Sequence, residues 1–410
     1  MERCIKSKIM EHLEDNEILA AAQHGFQKSK STLTNLLQYV EAITAAVDQG
    51  CQVDSIYFDF QKAFDKVPHR RLLAKLEAVG IRGYLLTWLT SWLTGRKQRV
   101  CVNDEFSDWI ETTSSVPQGS VLGPILFLIY INDLQHVVSS YLSMFADDTK
   151  LYRVIKNQTT DTSILQGDID AMLHWTKDWL MEFNIDKCST VTFGRGQKNT
   201  YTLTGRPLES VSCQKDVGVH VPANLKFEEQ CGAAVAKANC VLGQIKRAFW
   251  TRDQNIMVNA YKTYVLPHLD YCCQVWSPGT QKWVKKIEQV QKRALRLIPS
   301  LNGKSYEEKL KSLDMLTLEN RREMFDFINK YKEGSKRKDG NINIKENSTR
   351  MTRSMTDKLL EKPRFRLDIR KNSYTIRVID AWNNLPKEIR NSNSIHTFKK
   401  NVKKYLMTKQ

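Results

Sequence analysis

Asp147 and Asp148 stand side by side in SMFADDTKLY (143–152), between two apolar, strand-like runs. Carboxylates that close repel and raise each other's pKa, so the pair is comfortable only in a solvated turn or against a cation. Turn chemistry alone favours Asp, and a solvated hairpin tip accounts for most such pairs. Asp59 gives a reason to look further. It ends the otherwise apolar SIYFDF, where a charge is either paired or holds a metal, and it lies 88 residues before Asp147. Two strands that deliver carboxylates to one edge of a sheet make an oxygen-rich site suited to Mg²⁺, a hard cation that keeps waters and binds through one or two carboxylates plus substrate phosphates. Two such ions about 3.5–4 Å apart activate an attacking hydroxyl and stabilise the leaving oxygen of an in-line phosphoryl displacement.

The elements that must position these groups follow from periodicity and turn chemistry. Residues 1–50 read as two helical stretches joined by QHGFQKSKST, with Ser31 or Thr32 as cap of the second, LTNLLQYVEAITAAV. The strand QVDSIYFDF (52–60) precedes a helix starting near Pro68. Trp88 and Trp92, four apart, predict a buried helical stripe. Residues 96–116 alternate like paired strands. The loop VPQGSVLGP leads into VLGPILFLIYI (121–131), a buried helix or strand too short for the ~20 residues that span a bilayer. A helix around MLHWTKDWLMEF, a strand STVTFG and the segment KDVGVHV come after the Asp-Asp hairpin. From about residue 223 the pattern is helical with basic polar faces. In WVKKIEQVQKRALRLI the apolar Trp283, Ile287, Val290, Ala294 and Leu297 keep helical spacing, while Lys285, Lys292 and Arg296 gather elsewhere on the surface. Residues 333–354 lack core formers and read as a linker. No internal repeat is present.

Composition excludes a disordered chain: of 410 residues, 41% are hydrophobic and 26% charged, enough for two or three domains. Nothing resembles a signal peptide, and the nine scattered cysteines show no zinc-ligand spacing, so an intracellular protein, nuclear or cytoplasmic, is expected rather than a secreted or membrane one. The net charge of +17 is unevenly spread. Residues 1–200 hold 21 Lys and Arg against 24 Asp and Glu, whereas residues 201–410 hold 41 against 21. A basic surface of that size draws a polyanion by releasing counterions, which points to nucleic acid.

IYFDFQKAFDKVPHRRLLAKL, SSVPQGSVLGPILFLIYINDL, MFADDTKLY, WLMEFNIDKCSTVTFG and KDVGVHV, in this order, resemble the successive palm motifs of reverse transcriptases, most closely the jockey-like group of non-LTR retrotransposon polymerases. QHGFQKSKSTLTNLL is similar to that family's fingers; YVLPHLDYCCQVWSP, IEQVQKRALRLI and the segment from Tyr306 to Lys332 are similar to its thumb and the region C-terminal to the thumb. A lone Asp-Asp or Pro-Gln-Gly says little, but five ordered motifs at workable spacing are specific.

The resemblance implies an α+β right-hand polymerase: partial fingers over 1–50, an antiparallel-sheet palm over 51–222, a helical thumb over 223–332, the linker 333–354 and a basic C-terminal extension over 355–410. It implies that Asp59 and Asp147 hold two Mg²⁺ ions, with Mn²⁺ as an alternative, helped by the backbone carbonyl of Phe60 and supported by Asp148. Phe64 matches the side chain that crowds the sugar 2′ position, and Gln118 and Gly119 match the loop lying against the incoming nucleotide. Lys187 matches the proposed general acid toward pyrophosphate. Asp65 is expected to have a structural, hydrogen-bonding role. Implied partners are an RNA template, a DNA primer and deoxynucleoside triphosphates, with Lys285, Lys292 and Arg296 touching nucleic acid.

Three departures stand out. Ser115 takes a position where the family usually has Gly, which would strain the loop if the site needs a positive φ. Gln27 replaces a common Arg. The match begins inside the fingers, without the upstream basic residues and endonuclease that the family usually encodes, so a catalytically weak nucleic-acid-binding remnant is the alternative to an active polymerase.

Overall fold

A computed structural model describes residues 1–335 and 359–409. They divide into two compact units, one of residues 1–39 and 50–218, the other of residues 40–49 and 219 onward.

The first unit is built on a five-stranded sheet: β1 (Gln52–Phe58), β2 (Tyr141–Phe145), β3 (Asp148–Ile155), β4 (Ser189–Phe193) and β5 (Glu209–Ser210), in the order β5-β4-β1-β3-β2. β1 lies at its centre, antiparallel to both β3 and β4, and all seven of its residues are buried. Around the sheet lie α1 (Glu2–Asp15), the first half of α2 (Thr32–Asp48), α3 (His69–Ala78), α4 (Gly83–Leu93), α5 (Gly123–Ile131) and α6 (Gln158–Asp178). Local sequence accounts for their ends. Ser31 Oγ accepts from the Thr34 N–H at 3.3 Å, and Asn157 accepts from the Thr160 N–H at the start of α6, each satisfying a first-turn donor. Pro124 sits in the first turn of α5, where its missing N–H costs nothing. The apolar run 121–131 thus resolves as a helix, and its Leu126, Phe127 and Ile129 share one core with Ile56 and Phe58 of β1, Leu151 of β3, and Ile169 and Met172 of α6. Burying a side chain of this kind stabilises by about 1.5–3 kcal/mol.

Two expectations change in detail. On α4 it is Leu89 and Leu93 that are fully buried, while Trp88 and Trp92 stack 6.3 Å apart, half-exposed, at the edge of that core. Residues 96–116 do pair, but only as two-residue ladders, Lys97–Gln98 with Ile110–Glu111 and Cys101–Val102 with Glu105–Phe106.

The second unit is mainly helical, with α7 (Glu228–Ala248), α8 (Gln281–Leu295), α9 (Leu318–Ser335), α10 (Tyr374–Asn383) and α11 (Ile395–Thr408) as its longer members. Phe398, Val402 and Leu406 of α11 recur every four residues and are buried, with the Phe398 ring stacked on Tyr331 of α9. On α8 the buried face is Ile287, Val290, Gln291, Ala294 and Leu295; Trp283 and Leu297 are only half-buried. Gln291 is the surprise, a buried amide that donates to the Leu316 carbonyl at 2.9 Å and accepts from Tyr261 Oη at 3.0 Å. The C-terminal segment is integral to this unit. Arg370 pairs with Glu41 at 2.6 Å, and Asp48 Oδ1 accepts the Arg366 and Leu367 N–H groups at 2.8 and 2.7 Å. The expected linker 333–354 begins within α9, which runs through Ser335, and otherwise lies outside the described residues. Among the described residues, no helix is long and apolar enough to cross a membrane.

Candidate active site

β1 and β3 run antiparallel, with Phe58 opposite Thr149, so the end of one strand and the start of the other lie at the same edge. Asp59 follows β1 directly, Asp148 opens β3, and Asp147 occupies the two-residue turn between Phe145 and Asp148. Sheet pairing alone therefore brings the three carboxylates together. Asp59 is fixed from a third side. Its carbonyl accepts the Asn184 N–H at 2.7 Å, and the Gln61 N–H donates to the Glu182 carbonyl at 2.8 Å. This stitching brings Lys187 to the site, its Nζ 3.3 Å from Asp59 Oδ2. Phe60 turns its ring into the core, 4.7 Å from Phe183, so only its backbone can serve a ligand.

The electrostatics are those of carboxylates short of positive charge. Burial pushes the Asp147 carboxyl above its usual range, with Asp59 adding repulsion. Burial, then the charges of Asp147, Asp216 and Asp59, push Asp148 up to about 6. Among the described residues no three acidic, His or Cys side chains form a preformed metal cage. Yet crowded, partly desolvated oxygen donors that are incomplete on their own fit a hard divalent cation whose remaining ligands are water and substrate phosphate. The Lys187 ammonium beside Asp59 marks where positive charge is already favoured.

A second group surrounds the VPQG loop. Phe64 stacks on Phe127 at 4.5 Å and stays half-exposed, and its carbonyl accepts the Val116 N–H at 3.0 Å. Gln118 Nε2 donates to Asp65 Oδ1 at 2.8 Å, giving Asp65 the hydrogen-bonding role expected of it. Ser115 has φ of +90°, so the site does demand the conformation that glycine adopts freely. His69 Nε2 and an Arg96 N–H both donate to the Ser115 carbonyl, at 2.9 and 3.1 Å, holding the strained residue in place. Gly119 has φ of +79° with open space where a Cβ would stand, so backbone conformation rather than crowding requires glycine there.

Sequence reading missed Lys150 and Asp216. They form a buried ion pair, and Lys150 also donates to Asn35 Oδ1 at 2.7 Å and lies 4.4 Å from the centre of the Tyr39 ring. Burial lowers the Lys150 pKa while Asp216 opposes that shift. With Asp59, Asp148, Lys187 and Lys215 the pair lines one cleft. The available signal was a lysine inside the apolar strand TKLY. Lys285, Lys292 and Arg296 belong to the other unit. Lys285 and Arg296 are exposed, but Lys292 is half-buried, its ammonium 4.7 Å from the centre of the Tyr306 ring.

Residues 1–221 match the family described as reverse transcriptase (RNA-dependent DNA polymerase). The chain is 28% identical over 311 residues to a probable RNA-directed DNA polymerase from transposon X-element of Drosophila melanogaster, covering 72% of this chain and 34% of that protein. It is 27% identical to the RNA-directed DNA polymerase from mobile element jockey of the same species, covering 73% and 34%. It is also 25% identical over 292 residues to a polyprotein from the type-1 retrotransposable element R2 of Popillia japonica, covering 66% and 46%. The chain thus spans about a third of the length of the first two relatives. A solved telomerase of Candida albicans in complex with a fragment of telomeric RNA aligns at 12% identity and a TM-score of 0.40, over 83% of this chain and 58% of that one.

Proposed function

The chain belongs to the reverse transcriptase family, and from that premise we propose that it is an RNA-directed DNA polymerase of a non-LTR retrotransposon, extending a DNA primer on an RNA template. One observation carries this reading: β1 and β3 deliver Asp59, Asp147 and Asp148 to a single sheet edge.

In this reading the first unit contains the palm with part of the fingers, and the helices of the second supply the thumb and C-terminal extension. Asp59, Asp147 and the Phe60 carbonyl would hold two Mg²⁺ ions, with Asp148 in support. Bound there, the ions would supply activation of the primer 3′-hydroxyl and charge stabilisation of the leaving pyrophosphate. The chain's own residues do the positioning. Phe64, seated on Phe127, opposes the sugar 2′ position and excludes a hydroxyl. Gln118, tethered by Asp65, and the backbone at Gly119 form a floor for the incoming nucleotide. Lys187, a donor already held at the site by Asp59, gives a proton to the leaving group. Lys285 and Arg296, exposed on α8 and just beyond its end, contact the nucleic-acid backbone, with Lys292 as a lesser contributor because Tyr306 engages its ammonium.

A second reading, nucleic-acid binding without chemistry, draws on the charge excess of residues 201–410. Primer extension by the purified chain on an RNA template with Mg²⁺ separates the two. The polymerase reading expects template-directed deoxynucleotide incorporation that chelation abolishes; a chain that is folded and bound to primer-template yet incorporates nothing would favour binding alone.

A further inference from the structure

The turn carrying Asp147 is held by a residue more than a hundred positions away. Phe145 and Asp148 are paired, so only Ala146 and Asp147 lie in the turn. Ala146 has φ of +55°, a left-handed conformation that two-residue hairpin loops usually obtain from glycine or asparagine and that alanine adopts only against steric resistance.

Gln23 opposes that resistance. Its side chain is buried. Its Oε1 accepts the Ala146 N–H at 2.9 Å and the Gly25 N–H at 2.7 Å, and its Nε2 donates to the Ala146 carbonyl at 3.3 Å. One carboxamide therefore engages both polar backbone groups of the residue that precedes Asp147. The segment bearing Gln23 is itself laid along β2: the Met144 N–H donates to the Ala22 carbonyl at 2.9 Å, and the His24 N–H donates to the Met144 carbonyl at 2.8 Å. Gly25 permits this approach, since a Cβ there would stand 2.5 Å from the Ala146 nitrogen. His24 anchors the segment to α2 through Thr34 and Gln38, at 2.9 and 3.0 Å.

We infer that Gln23 is a positioning residue: it keeps Ala146 in the left-handed conformation and thereby aims the Asp147 carboxylate at the metal-binding edge. The catalytic consequence rests on the polymerase reading above. Were Gln23 only a satisfied polar group in the core, its loss would lower stability without altering metal dependence.

The test uses the full chain with Gln23→Met, which fills the space but makes none of the three hydrogen bonds, and with Gln23→Met combined with Ala146→Gly, because glycine adopts the turn without support. Gln23→Asn, which withdraws the amide by one methylene, serves with the same expectations if the Met variant does not fold. Hydrogen exchange of the Ala146 amide should quicken about tenfold or more in Gln23→Met, while β1 keeps its protection. In primer extension kcat should fall about 10- to 100-fold and half-maximal rate should need more Mg²⁺. The deoxynucleotide KM should move within about twofold. The double variant should recover most of the lost kcat. Unchanged exchange at Ala146, or a kcat loss with the parental Mg²⁺ requirement and no recovery in the double variant, overturns the inference. A parent chain that never extends primers would refute the polymerase reading instead, and the exchange measurement would still decide whether Gln23 holds the turn.

Discussion

Asp65 Oδ1 accepts a hydrogen bond from Gln118 Nε2 at 2.8 Å, joining the segment that follows Asp59 to the loop that follows Ser115. The bond is exposed, so it contributes little to stability. In the proposed polymerase reading, it holds Gln118 in one orientation before substrate arrives. Asp65→Ala should lower kcat/KM for deoxynucleotides about 2- to 10-fold, the worth of one hydrogen bond. Asp65→Asn, which keeps an acceptor, should stay near the parent. Steady-state kinetics with a single nucleotide checks this, and a parental kcat/KM in Asp65→Ala would show that Gln118 needs no tether.

Phe64 combines a packed face against Phe127 with an open one. Phe64→Val removes bulk on the open side and should raise ribonucleotide incorporation relative to deoxynucleotide about tenfold or more. The lost ring contact should cost about 1–3 kcal/mol of stability. The ratio of kcat/KM for the two sugars is the measurement; an unchanged ratio in a folded variant would leave Phe64 a core residue.

Lys150 and Asp216 are both almost fully buried, so each depends on the other. Lys150→Met should destabilise the first unit by about 3–5 kcal/mol, because it strands the Asp216 carboxylate without its cation. Lys150→Met with Asp216→Leu should recover much of that loss, since a desolvated pair is often replaceable by apolar residues. Urea unfolding of the three chains distinguishes this from a surface pair, for which all would unfold alike.

How much of this was legible in the sequence depends on whether a residue's neighbours are local. Asp59 betrayed itself by its charge at the end of an apolar strand, and Asp147 with Asp148 by their place between two such runs. Ser115 stood out only through the resemblance, as a departure from the family's usual Gly, and the backbone there has φ of +90°. What escaped were the long-range polar contacts. Nothing near Lys150 in sequence announces Asp216, and nothing near Gln23 announces Ala146, because those pairs form only once the sheet has closed. Gln291 of α8 went unsignalled for the same reason: the partners that hold its buried amide lie 15 to 30 residues away.

Ser115→Gly tests that backbone conformation. Glycine adopts φ near +90° without the clash a Cβ brings, so the substitution should stabilise by about 1 kcal/mol, less the entropy glycine loses on folding. Thermal unfolding of the single variant checks the sign. A fall in melting temperature would mean that the hydrogen bonds of His69 and Arg96 to the Ser115 carbonyl already make the serine comfortable.

In the proposed polymerase reading, the carboxylates at the edge of β1 and β3 perform metal-dependent nucleotide transfer, while the basic surface only binds. Asp147→Asn separates these directly, because it removes one negative oxygen donor and leaves every cation of residues 201–410 in place. The measurement is primer extension with Mg²⁺ alongside primer-template affinity at fixed salt, on parent and variant. Extension should fall to background in Asp147→Asn, with affinity within about threefold of the parent, since phosphate neutralisation by Lys and Arg is untouched. Extension at the parental rate by a folded Asp147→Asn chain would show that this carboxylate takes no part in the transfer.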